Sequence, residues 1–181
     1  MNIYLNMNRI IVVIICVVGF LLSGFENHDK IKVLILSGRN NHDWKTTTLK
    51  LKNIYEDSGL FQVEVTENPE LLIEADFKKY DAVVNNWSSF PDTEYRWPAE
   101  TENALISFIK RGGGFVTFHA ATTCFYNWPE FKNISTGAWI DGTHHGKQIT
   151  TEVNIQNKKH PITKDMQDFT MKDELWIDAE R

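Results

Sequence analysis

Residues 31–44 read Ile-Lys-Val-Leu-Ile-Leu-Ser-Gly-Arg-Asn-Asn-His-Asp-Trp, an aliphatic run that breaks at Ser37 and Gly38 and gives way to a residue able to start a helix. A compact run of this kind is the pattern of a strand covered on both faces. Asp43 stands at the N-cap position. Trp44, Thr48, Leu51, Tyr55 and Ser58 then recur at helical spacing, with Gly59 as the stop. A strand, a loop and an amphipathic helix make the first half of a parallel unit.

The same alternation continues along the chain. Phe61 to Thr66 alternates apolar and polar residues, as a half-exposed strand near a sheet edge does. A weaker helical stretch spans Glu70 to Lys79, and Ala82 to Asn86 reads as a third strand. Pro98 opens a helix with Glu100 and Glu102 in its first turn, Leu105, Ile106, Phe108 and Ile109 facing inward, Lys110 and Arg111 at its end and Gly112 beyond. Phe115 to Phe118 reads as a buried fourth strand that runs into His119. Helical crossovers between such strands give an α/β fold, a doubly wound, mostly parallel, flavodoxin-like sheet. Beyond Thr122 the pattern loosens: a short helix is expected within Tyr126 to Ser135, strand-like alternation runs from Gln148 to Ile155, and Leu175 to Ile177 begins another apolar run. A domain over 31–181 that is incomplete at its C-terminal end, and so prone to aggregation, is the expectation.

The 181 residues are 42% apolar and 24% charged, which excludes disorder and fits one domain. A net charge of −5 with no basic patch argues against a nucleic-acid partner. Arg9, the apolar run from Ile10 to Leu22, and the small residues Ser23 and Gly24 form an export signal over residues 1–24, shorter than the ~20 apolar residues that span a bilayer. The expected location is periplasmic or secreted, with membrane attachment only if that segment stays uncleaved. Its removal would leave Cys124 as the one cysteine, which excludes a disulfide scaffold.

Ligands of open parallel sheets bind beyond the carboxyl ends of the strands. The loops there carry His42 and Asp43, then Asn86, Trp87 and Ser88, then His119, Thr122 and Thr123. His119 and His42 are the expected proton-transferring or metal-binding groups. In the glycine-flanked loop Asp-Gly-Thr-His-His-Gly-Lys, one of His144 and His145 reaches a ligand; His144 is assigned to catalysis and His145 to substrate. Of the two adjacent carboxylates, Glu174 is assigned to acid or base duty and Asp173 to substrate binding, together with Asn86, Asp43 and a stacking role for Trp87. The histidines lack a short ligand spacing, so a divalent metal ion would need a site assembled by tertiary structure, and the cofactor is left open.

Five motifs in order then resemble the ThuA-like, trehalose-utilisation family: residues 34–44, Gly-Gly-Gly-Phe-Val-Thr-Phe-His-Ala-Ala at 112–121, His-His-Gly at 144–146, His-Pro-Ile-Thr at 160–163 and Asp-Glu-Leu-Trp at 173–176. The resemblance implies a fold like class I glutamine amidotransferases and a role in carbohydrate breakdown on a glycoside or keto-sugar. It also implies a departure, because those amidotransferases carry a cysteine where this chain has His119, so thiolate-dependent glutamine hydrolysis is not open to it. The expected activity is histidine and carboxylate acid-base or metal-assisted sugar chemistry, as a hydrolase, lyase or isomerase. A carbohydrate-binding module without turnover, built on Asn86, Trp87 and Ser88, is the alternative.

Overall fold

Four parallel strands in the order β2-β1-β3-β4 form the central sheet: β1 (Ile31–Leu36), β2 (Phe61–Thr66), β3 (Ala82–Asn85) and β4 (Gly114–Thr117). The computed structural model describes residues 29–135, 137–139 and 142–178, so the export segment expected at 1–24 lies outside the described residues. Among the described residues no helix is long and apolar enough to cross a membrane.

Alternation along β1 divides the core. Val33 and Ile35 pack with Val63 and Val84 against Leu51 and Tyr55 of helix α1 (Trp44–Asp57). Leu34 and Leu36 point to the other face. There they join Phe77 of the short helix α2 (Glu74–Phe77) and Leu105 and Phe108 of helix α3 (Ala99–Lys110). The sheet is therefore covered on both sides, as the doubly wound reading expects. Parallel strands end in phase, with Leu36, Asn85 and Thr117 in register. The loops that follow them therefore open on one edge.

The caps follow the local chemistry. Asp43 Oδ1 accepts from the Thr46 N–H at 3.1 Å, which satisfies one of the free amides of the first turn of α1. Gly38 turns the chain out of β1 with φ +101°, and a Cβ there would lie 2.2 Å from the Glu67 carbonyl oxygen. Backbone has no room to yield. Gly38→Ala is expected to cost on the order of 2 kcal/mol, seen as a lower urea midpoint at unchanged slope; an unchanged midpoint would contradict it.

One expectation needs correction. The fourth strand is not buried: Val116 is 46% exposed and Phe118 39%, because β3 is the one strand paired with β4 among the described residues. The second half of the chain, where the pattern loosens, forms no further strand of the parallel sheet among the described residues. After helix α4 (Pro129–Ser135), β5 (His144–His145) pairs with β8 (Trp176–Ile177), and β6 (Ile149–Val153) pairs with β7 (Phe169–Asp173), both antiparallel. These two small ribbons stand beside the strand ends.

Candidate active site

A cleft of about 420 Å³ opens at the carboxyl edge of the sheet. Its lining joins His42 from the loop after β1, His119 from the end of β4, and Trp139, His145, Asp173, Glu174 and Trp176 from the later ribbons. Segments far apart in sequence meet here.

His119 enters the cleft in a left-handed backbone conformation, φ +47°, which non-glycine residues rarely adopt. The chain turns from β4 directly into a 3-10 turn, His119–Thr122, whose Thr122 hydroxyl donates to the His119 carbonyl at 3.1 Å. Such strain persists where the surroundings over-determine it. The His119 ring lies between His42, with centroids 4.6 Å apart, and Trp176, 5.7 Å away. Partial desolvation in that slot, then the neighbouring His42, push the His119 pKa below its ordinary value, against a smaller opposing pull from Asp173. A lowered pKa leaves the imidazole neutral near pH 7, ready to accept a proton.

The chain of contacts continues around the cleft. Trp176 meets Trp139 edge to face at 5.0 Å, and Trp139 approaches His145 at 6.3 Å. His145 Nδ1 lies 3.2 Å from Glu174 Oε2 and 3.3 Å from the Gly146 carbonyl. With a proton on Nδ1 the ring donates to both oxygens, which fixes the orientation of the imidazole.

Of the two adjacent histidines, His145 lines the cleft and His144 does not. In β5, His144 pairs with Ile177 and His145 with Trp176. Successive strand residues face opposite ways, so His145 joins the cleft on the Trp176 side. His144 does not line it, and its Nδ1 bonds the Gly142 carbonyl at 3.0 Å. Asp173 and Glu174 both reach the cleft, as assigned. Asp43 does not line it: its carboxyl is the helix cap, held below its ordinary pKa first by the Thr46 side chain and then by the Thr46 backbone N–H.

Asn86 and Trp87 are also displaced from the roles given them. Trp87 is 2% exposed and stacks on Phe125, with centroids 5.5 Å apart, beside Trp97 and Tyr95. A ring so enclosed presents no face to a sugar. The reason is the length of the aromatic cluster behind the sheet, where Phe125, Trp128 and Phe131 continue the packing. Asn86, also 2% exposed, donates to Thr48 Oγ1 at 3.0 Å. Its carbonyl accepts from Asn40 Nδ2 at 3.1 Å, and Ser88 N donates to the Arg39 carbonyl at 2.9 Å. Ser88 Oγ and Thr123 Oγ1 are 2.9 Å apart. These bonds knit together the three loops that carry His42 and His119. Asn86 and Ser88 brace these loops from within.

Trp139, Trp176, Asn41 and Phe90 line the cleft without having been assigned to it. The one signal for Trp176 was its place next to Asp173 and Glu174; Trp139 carried only its aromatic character in a loop. Cys124 is buried, and burial pushes its thiol pKa far up, which rules out a thiolate at this site. Among the described residues no three His, Cys, Asp or Glu side chains stand together as a metal-ion ligand set.

Comparison with known proteins gives a family and supports the fold. The sequence model of the family described as ThuA, trehalose utilisation, matches residues 32–181. A ThuA-like protein of known structure from Parabacteroides merdae is 30% identical, with a TM-score of 0.71 over 83% of this chain and 64% of that one. Another, from Bacteroides uniformis, is 20% identical, with a TM-score of 0.64 over 84% of this chain and 63% of its own, and supports the fold alone. The chain thus spans somewhat under two thirds of the length of each. Among curated proteins none matches.

Proposed function

Because the chain belongs to the ThuA family, described by trehalose utilisation, we propose that it is an exported enzyme of carbohydrate breakdown that cleaves or rearranges a glycoside or keto-sugar by histidine and carboxylate acid-base chemistry. The observation that carries the reading is the pairing of His42 and His119 in one cleft with the His145 and Glu174 pair. One neutral imidazole and one carboxylate-held imidazole give a base and an acid in a single site.

In this mechanism His119 accepts a proton from a sugar hydroxyl or from water at its free ring nitrogen. His145, steadied by Glu174, holds the proton to be delivered to the departing oxygen. His42 serves in either direction. The rings of Trp139 and Trp176 keep water away from one side of the sugar. The apolar segment after Arg9 supports export to the periplasm or the medium. The side chains behind the binding-module alternative, Asn86, Trp87 and Ser88, are all buried.

The test is turnover of trehalose, its keto derivatives and aryl glycosides by the purified protein. A sugar product should form, and kcat/KM should fall on the acid side with an apparent pKa below 6.5, the ordinary histidine value. The sign follows from the direction of the shift, since protonating His119 removes the base. Saccharide binding without any turnover across the panel would overturn the catalytic reading.

A further inference from the structure

Six tryptophans occur in the chain, and three of them, Trp87, Trp97 and Trp128, are sealed in the core at 2 to 3% exposure. Trp139 and Trp176 differ. Both are half-buried, both line the cleft, and their rings meet edge to face at 5.0 Å. An edge-to-face pair at a cleft wall leaves apolar ring surface open to a ligand, and a pyranose offers a matching face of C–H groups.

The charges of the same cleft are one-sided. Asp173 and Glu174 stand in its wall, and no lysine or arginine is among its described lining residues. Lys172 precedes Asp173 on β7 and so faces the other way. Arg39, the nearest cation on the β1 loop, is engaged elsewhere: it donates to the Ser89 carbonyl at 2.9 Å and lies over the Tyr95 ring at 5.0 Å. A phosphate or carboxylate on a sugar would meet two carboxylates and, among the described lining residues, no lysine or arginine.

We propose that the cleft selects a sugar bearing no negative charge, seated on the corner formed by Trp139 and Trp176 and screened against phosphorylated or acidic sugars by Asp173 and Glu174. This rests on the carbohydrate reading of the site, and narrows it to neutral saccharides.

The experiment titrates the full chain with trehalose, trehalose 6-phosphate, glucose and glucose 6-phosphate, followed by calorimetry and tryptophan emission at low salt. Each neutral sugar should bind at least tenfold more tightly than its phosphate. The gap should narrow in Glu174→Gln and in Asp173→Asn, and with added salt. Trp139→Ala and Trp176→Ala should each weaken binding of the neutral sugar tenfold or more, with Trp139→Phe and Trp176→Phe retaining most of it. Thermal unfolding of the Phe variants controls for the fold.

Phosphates bound as tightly as the neutral sugars, or trehalose and glucose binding unaffected by both Ala substitutions, would overturn the proposal. So would a failure of all four sugars to bind. The expected binding pattern without turnover supports the selection rule while overturning the catalytic reading. Turnover with Trp139 and Trp176 indifferent does the reverse.

Discussion

His119→Ala is expected to lower kcat on the active glycoside or keto-sugar by about 10² to 10⁴, the usual worth of a positioned acid or base, while the substrate dissociation constant changes far less. The residue unites three features: the strand end, a slot between His42 and Trp176, and a pKa lowered by desolvation and by its neighbour. Its backbone, at φ +47°, gives the experiment an internal control. Alanine tolerates that conformation poorly, whereas asparagine visits it readily. His119→Asn should therefore keep the fold, retain hydrogen bonding to the sugar and lose the titration. Turnover should fall in both variants, with thermal stability closer to the parent in the Asn form. Full activity of His119→Asn would show that the imidazole only packs.

Phe125→Ala is expected to have the largest effect on stability, about 3–5 kcal/mol. The ring is fully buried and touches Trp87, Trp97, Trp128 and Phe131 with centroid separations of 4.8 to 5.5 Å. Four large aromatics around one removed ring cannot collapse into the space. At about 2–4 °C per kcal/mol for a domain of this size, Tm should fall by roughly 6 to 20 °C. Phe125→Leu, which refills part of the volume, should cost less than half as much. A fall of a degree or two in the alanine variant would mean that the cluster repacks freely.

The alternating part of the chain was readable because its physics is local. Asp43, Gly38 and Gly59 mark ends, and the aliphatic run of β1 reports two covered faces directly. The placement of β4 was not readable, since Phe115 to Phe118 is apolar whether another strand lies beside it or not. The cleft was half legible. His42 and His119 follow from strand ends, which topology alone brings together. Choosing His145 over His144 needed the pairing of β5 with β8, a contact between residues some thirty positions apart. Trp87 was misjudged because a tryptophan in a loop looks exposed until the aromatic cluster behind it is seen. The same cluster turns Asn86 and Ser88 into internal bracing.

The pairing of β5 with β8 has a further consequence for how the cleft tolerates change. Two residue pairs, His144 with Ile177 and His145 with Trp176, close a loop that holds everything from 146 to 175. The entropy of closing a loop grows only with the logarithm of its length, about 0.6 kcal/mol for each doubling. The ribbon of β6 and β7 can therefore be lengthened or trimmed between Val153 and Phe169 at little thermodynamic cost, provided the pairing at its base is kept. The ribbon beyond the wall that carries His145, Glu174 and Trp176 is a point of variation for an evolving protein, whereas the wall that carries His42 and His119, tied into the sheet by hydrogen bonds among three loops, is bound to the fold itself.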